Sequence, residues 1–280
     1  MLFWGLSFIW SAVLLKYYEP VTIIFIRLVL SATLLFAIHY LFFPPEKIAK
    51  KDYGLLLLSA FFNPFLYFLC ENYGLKFSTP TIAAVVIATI PVFSPVVAFL
   101  VVRERLSFLN LIGIAVSFIG VIVMLINRDL SLGADIRGVL FLFGAVLSAL
   151  FYSVLLKKLT NRYSALILVA WQNLTGIFLF LPVFLLFEVK TAAAVPVTPV
   201  IISSFLFLSV LASSVAFVFF AHSIKLIGVS KSNIYSNLIP VFTAFFSYFL
   251  LSESINIQKI AGIILVIGGV YLSERTKRLN

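Results

Sequence analysis

Runs of about 20 apolar residues alternate with short polar or proline-bearing stretches along the whole chain. At a rise of about 1.5 Å per residue, such a run forms a helix able to cross a hydrocarbon core about 30 Å thick. The pattern predicts ten helices, near residues 1–17, 21–43, 53–76, 80–102, 107–127, 137–157, 163–187, 198–226, 229–251 and 256–273. The breaks carry turn-forming residues: Glu19-Pro20, Pro44-Pro45, Ser78-Thr79-Pro80, Arg128-Asp129, Pro196 and Pro199. These connections are too short to hold a soluble domain.

Composition turns the pattern into a membrane assignment. Hydrophobic residues make up 63% of the 280 positions and charged residues 11%, with a mean hydropathy of +1.18. A water-soluble protein of this size needs a larger polar surface, whereas a bilayer accepts an outer surface of Leu, Ile, Val and Phe. The net charge of +10 does not point to nucleic acid, because the 20 Lys and Arg lie singly or in small groups between apolar runs. Cys70 is the single cysteine, so no disulfide or cysteine-based metal site forms within one chain. The amino-terminal run lacks a basic leader and a small-residue cleavage site, and it is expected to be retained.

Basic residues collect on the cytoplasmic side of a membrane. With the amino terminus inside, thirteen Lys and Arg fall at cytoplasmic helix ends and six at the opposite ends, with Arg27 inside a helix. Both termini are therefore expected in the cytoplasm, in the plasma membrane.

The chain also resembles itself. A shift of 149 residues aligns Pro91-Val92-Phe93 with Pro240-Val241-Phe242, Glu104 with Glu253, Gly113 with Gly262, and Gly120-Val121 with Gly269-Val270. A shift of 141 pairs Ser7 with Ser148 and Val13-Leu14-Leu15-Lys16 with Val154-Leu155-Leu156-Lys157. Two units follow, residues 1–128 and 129–280, within one membrane domain. Each unit has five helices, an odd number, so the second copy enters the membrane from the opposite side. Inverted repeats are a common construction of transporters, because two oppositely oriented halves can open a central site to either face in turn. A duplication that merely built a stable bundle is the plainer account.

Three motifs stand in the first half of the chain: Trp4-Gly5-Leu6-Ser7-Phe8 with Lys16, then Arg27, then Glu71-Asn72-Tyr73-Gly74-Leu75-Lys76-Phe77-Ser78-Thr79. They are followed by Pro91-Val92-Phe93, Arg103-Glu104-Arg105-Leu106, Gly113 and Gly120, then Pro240, Glu253, Gly262 and Gly268-Gly269. In this order and spacing the residues resemble the EamA-type proteins of the drug/metabolite transporter superfamily. Few residues precede Trp4, where members of that family begin their first helix earlier. The resemblance implies ten helices from two five-helix repeats around a central cavity. It also implies a secondary carrier of small metabolites, often exporting amino acids or related compounds, without a bound cofactor.

Charged and amide groups in hydrocarbon are expensive unless they face a cavity or a partner, so each is a candidate. Counting along the helices puts Asn63, Gln172, Asn173 and Asn237 near the membrane midplane, with Ser213 and Ser214 at a similar level. Tyr67, Trp171 and Tyr235 are candidate aromatic walls of a substrate site. The same amides could simply tie helices together. Glu71 lies one turn after Tyr67, and its candidate roles are proton carriage, recognition of a substrate amine, or an ion pair with Arg27 at about the same depth. His222, near the cytoplasmic end of the eighth helix, could respond to protons or serve as an interfacial donor. Pro91 and Pro240, equivalent across the repeat, are candidate hinges, although a static kink leaves the same mark. Glu104 and Glu253 read as anchors between short loops.

No phosphate-binding loop and no HExxH pair is present, so neither direct ATP drive nor a zinc site is expected. The expected partners are a small-molecule substrate, membrane lipid and, in a homodimer, a second copy of the chain. The runner-up function is an intramembrane enzyme acting on a lipid or small amphiphile, with catalytic weight on Glu71 or His222. A channel or assembly factor is a third.

Overall fold

A computed structural model describes residues 1–93, 108–125 and 134–275, and among these every regular element is helical. In a bilayer each backbone N–H and C=O must be satisfied internally, which a helix does along its own length. The elements are α1 (Leu2–Leu14), α2 (Pro20–Phe42), α3 (Lys50–Lys76), α4 (Pro80–Phe93), α5 (Phe108–Leu125), α6 (Ile136–Thr160), α7 (Ala165–Ala193) and α8 (Pro199–Ile227). The short α9 (Val229–Ile234) passes through a 3-10 turn, Tyr235–Leu238, into α10 (Ile239–Leu251), and α11 is Ile257–Arg275. Five helices, α2, α3, α6, α7 and α8, are long and apolar enough to cross a membrane. Large apolar side chains such as Leu41, Phe42, Leu186, Phe187 and Phe219 stand on the outer surface. That surface suits lipid, because soluble monomers rarely expose apolar patches of such extent.

The helix starts are those the sequence led us to expect. Pro20, Pro80 and Pro199 occupy first-turn positions, where their missing N–H costs nothing. Thr79, Thr198 and Ser164 cap their helices by accepting from a backbone N–H three residues on. α1 is shorter than its apolar run, 13 residues or about 20 Å. Arg103, Glu104, Arg105, Leu106, Arg128 and Asp129, singled out above, lie outside the described residues.

Three helices are broken where the site lies. Asn63 takes an extended conformation inside α3, ahead of Pro64, and the freed Phe62 carbonyl accepts from Ser148 Oγ of α6 at 2.7 Å. α8 widens into a π segment over Leu208–Ala216, and its Ala212 carbonyl accepts from Trp4 Nε1 of α1 at 3.3 Å. In α4 the helix is interrupted at Ala88 and Thr89 and resumes just before Pro91, as α10 begins just before Pro240.

Packing is organised by pairs. α2 lies along α7, and α5 along α11; α3 packs on α6 and α1 on α8; α1 also meets α10, and α6 meets α4. The α5 and α11 backbones touch through glycines. A Cβ on Gly120 would stand 2.9 Å from the Gly262 carbonyl oxygen, and one on Gly269 would stand 2.6 Å from that of Gly113. Small residues at such crossings let helices approach closely enough to gain dispersion energy that lipid cannot match.

The ends of the bundle are tied separately. At one end Asp52 accepts from Tyr163 and from Arg162, Glu46 accepts from Ser164, and Lys157 donates to the Ile224 carbonyl. At the other, Lys76 pairs with Glu19, Asp135 N–H donates to the Phe77 carbonyl, and Glu188 accepts from Thr22.

Candidate functional site

A cavity lies between α1, α2, α3, α4, α6, α8 and α9. The centre of a water-sized sphere has about 50 Å³ of space in it. That volume suits a few waters or a compact solute. One charged cluster dominates its wall.

α2 contributes Arg27, which is 2% exposed. Its Nε donates to Ser213 Oγ of α8 at 2.8 Å, and its guanidinium carbon stands 4.0 Å from the centre of the Phe68 ring. Stacking on an aromatic face together with one fixed hydrogen bond sets the plane of the group. Below the break in α3, Tyr67 and Glu71 are one turn apart and share a face. The Tyr67 hydroxyl donates to Glu71 Oε1 at 2.9 Å, while Glu71 Oε2 lies 4.0 Å from Arg27 Nη1. Glu71 is 9% exposed. Two opposite charges this deeply buried offset each other's desolvation, and removing one partner of such a pair costs about 3–5 kcal/mol.

Around the cluster the wall is aromatic on one side and hydroxylic on the other. Trp4 meets Phe217 and Phe220 edge-on at 5.0 and 5.1 Å. Ser7, Asn63, Tyr152, Ser153, Asn233 and Ser236 contribute polar groups. Residues from both the first and the second half of the chain therefore enclose one space.

Of the residues singled out from the sequence, Asn63, Tyr67, Glu71 and Arg27 line this cavity together. Gln172, Asn173 and Ser214 lie in the helix contacts behind it. Gln172 accepts from Tyr152 and donates to Ser59 Oγ, Asn173 donates to Ser31 Oγ, and Ser31 and Ser214 share a hydrogen bond of 2.7 Å. Trp171 packs edge-on against Phe36, and Tyr235 is 56% exposed. Asn237 and His222 are outside the cavity lining, with His222 exposed near the end of α8. Pro91 and Pro240 are buried beside their helix breaks. Glu253 anchors a loop, its Oε1 accepting from Lys259 Nζ at 2.9 Å.

The lining residues missed from sequence include Phe68, Tyr152, Ser153, Asn233 and Ser236. A signal was available for the last two. Asn233 and Ser236 are three residues apart and share a helical face, whereas Tyr235 and Asn237 point elsewhere.

Comparison with known proteins bears on the whole chain. The EamA-like transporter family matches residues 1–126 and 136–275. An uncharacterised transporter of Archaeoglobus fulgidus is 28% identical over 278 residues, covering 98% of this chain and 94% of that protein. The uncharacterised transporter YetK of Bacillus subtilis is 27% identical over 236 residues, 82% of this chain and 71% of its own. A solved protein structure at 16% identity has a TM-score of 0.70 over 97% of this chain and 96% of its own, which is a likeness of fold.

Proposed function

The chain belongs to the EamA-like transporter family, and from that premise we propose that it is a secondary transporter working by alternating access. Its cargo is a small metabolite, an amino acid or related compound, exported across the inner membrane. The observation that carries the reading is the buried Arg27, Glu71 and Tyr67 cluster facing a cavity enclosed by helices of both halves. Charge at that depth is costly in a membrane, and a substrate pathway is a principal reason to hold it there.

The proposed architecture is ten membrane helices in two inverted units, residues 1–128 and 129–280. Pairwise packing supports it. Exchanging the first five segments with the second five maps α2 on α7 and α5 on α11 onto themselves, and maps α3 on α6 onto α8 on α1. The glycine contacts behave the same way: with Gly113 equivalent to Gly262 and Gly120 to Gly269, the Gly120–Gly262 approach is the image of the Gly269–Gly113 approach. Pro91 and Pro240, at equivalent breaks, are the proposed bending points. The ties at the two ends of the bundle group the same loops as the distribution of Lys and Arg does, which supports cytoplasmic termini.

Reconstitution tests the reading. Purified protein in liposomes should move labelled metabolites across the bilayer unchanged, and Glu71→Gln should reduce that flux. Chemical conversion of the solute by protein in detergent would overturn the carrier reading in favour of an intramembrane enzyme.

A further inference from the structure

Two of the buried hydrogen-bond donors on residues lining the cavity are left unspent by the protein. Arg27 Nη1 and Asn233 Nδ2 are buried, and neither has a hydrogen-bond partner among the described residues. Both residues line the cavity, at 2% and 3% exposure. Glu71 does not meet the need of Arg27, because 4.0 Å exceeds hydrogen-bond distance and its other oxygen is taken by Tyr67. The hydroxyls around the cavity have their protons committed: Ser7 to the Trp4 carbonyl, Ser153 to Ala149, Ser236 to Asn233, Tyr152 to Gln172 and Tyr67 to Glu71. A buried donor without an acceptor is costly, and more so when it is charged.

We infer that the cavity recognises the carboxylate of a compact solute, which accepts from Arg27 Nη1, with Asn233 Nδ2 as a second donor to the same solute. The inference rests on the transporter reading of this cavity and narrows its cargo to compact solutes whose carboxylate these two donors hold. Three observations select a carboxylate. Arginine stays charged and presents its donors in a planar fork that fits a carboxylate. Its plane here is held by Phe68 and Ser213, so little ordering is left for binding. Glu71 already offsets the guanidinium, so a carboxylate adds one uncompensated charge to the cavity where a dianionic phosphate would add two. The small volume and the wall of Trp4, Phe217 and Phe220 then call for a short, apolar remainder.

The test uses the full chain in detergent and isosteric pairs that differ in charge: isobutyrate against isobutyramide, and propionate against propionamide, with inorganic phosphate as a further probe. Calorimetric titration should give carboxylates at least about tenfold tighter than their amides. Arg27→Lys and Asn233→Asp should each remove about tenfold or more of that carboxylate affinity. Arg27 is packed into the fold, so Asn233→Asp, which alters a nitrogen bonded to nothing in the protein, carries the test should the arginine variant not fold. Amides binding as tightly as acids, no binding of either by folded protein, a preference for phosphate, or an unchanged Asn233→Asp would each overturn the inference. Flux in liposomes separates the two readings: transport that ignores the difference between acid and amide overturns the inference alone, whereas carboxylate-selective binding without flux overturns the transporter reading alone.

Discussion

The Glu188 carboxylate accepts from both the backbone N–H and the hydroxyl of Thr22, at 2.6 and 2.7 Å, so the end of α7 caps the start of α2. The converse holds at the other end of the same pair. Glu46, just beyond α2, accepts from the N–H and hydroxyl of Ser164 at the start of α7. A shift of 142 residues carries Thr22 onto Ser164 and Glu46 onto Glu188. Each carboxylate meets orphan N–H groups at the positive end of a helix dipole. Alanine at Glu188, which is buried, should cost about 1.5–3 kcal/mol, the range for hydrogen bonds to a charged group. Alanine at the less buried Glu46 should cost less, about 1 kcal/mol. Thermal unfolding in detergent orders the two; equal melting temperatures for wild type and Glu188→Ala would remove the cap from the account.

The crossing of α5 and α11 separates neighbouring glycines. A Cβ at Gly269 meets Ser117 Oγ at 2.3 Å and the Gly113 carbonyl oxygen at 2.6 Å, while one at Gly268 meets nothing within 4 Å. Gly269→Ala should destabilise the protein by about 1–3 kcal/mol through overpacking against backbone that cannot yield. Gly268→Ala should be neutral or slightly stabilising, since alanine is the better helix former. The two variants differ by one position and by nothing in chemistry. Similar melting temperatures would mean that these helices do not cross here.

How much of this was legible in the sequence depended on which coordinate a residue type reports. A charge in an apolar run is expensive wherever it points, so Arg27 and Glu71 identified themselves, and Tyr67 followed from its spacing to Glu71. Counting residues at a fixed rise gives depth along a helix but not azimuth. Gln172, Asn173 and Ser214 therefore face helix contacts behind the cavity, whereas Asn233 and Ser236, on the inward face of α9 and its following turn, were passed over for Tyr235 and Asn237. Helix breaks were readable at Asn63-Pro64 because proline removes a donor. The widened segment of α8 carries no such residue, so nothing in the sequence marked it. The reciprocal caps escaped because Glu46 and Glu188 sit at helix ends, where carboxylates are unremarkable one at a time.

The Arg27 and Glu71 pair should show strong coupling. Arg27→Met alone leaves a buried carboxylate without its counter-charge, a loss of about 3–5 kcal/mol. The double variant Arg27→Met with Glu71→Gln leaves no charge, while glutamine can still accept from Tyr67. It should recover most of that stability, because replacing a buried pair with neutral groups is often near neutral. Flux should not recover with it. A double-mutant cycle on melting temperature and a liposome assay on the same four proteins check both halves, and additive losses would mean that the two charges do not interact.

Orientation can be read from one pair of positions because the ends of the bundle are internally tied. Lys50 neighbours Asp52, which is joined to Arg162 and Tyr163, and Lys190 follows Glu188, which is joined to Thr22. Whatever face Lys50 occupies, the loop after α6 shares it; whatever face Lys190 occupies, the start of α2 shares it. The excess of Lys and Arg at the Lys50 end predicts that this end is cytoplasmic. In a Cys70→Ser background, Lys190→Cys should react with a membrane-impermeant maleimide in intact cells. Lys50→Cys should react only after permeabilisation. The opposite outcome would invert the whole bundle, since the ties leave no way to turn one loop alone, and it would place His222 and the α8 end outside the cell.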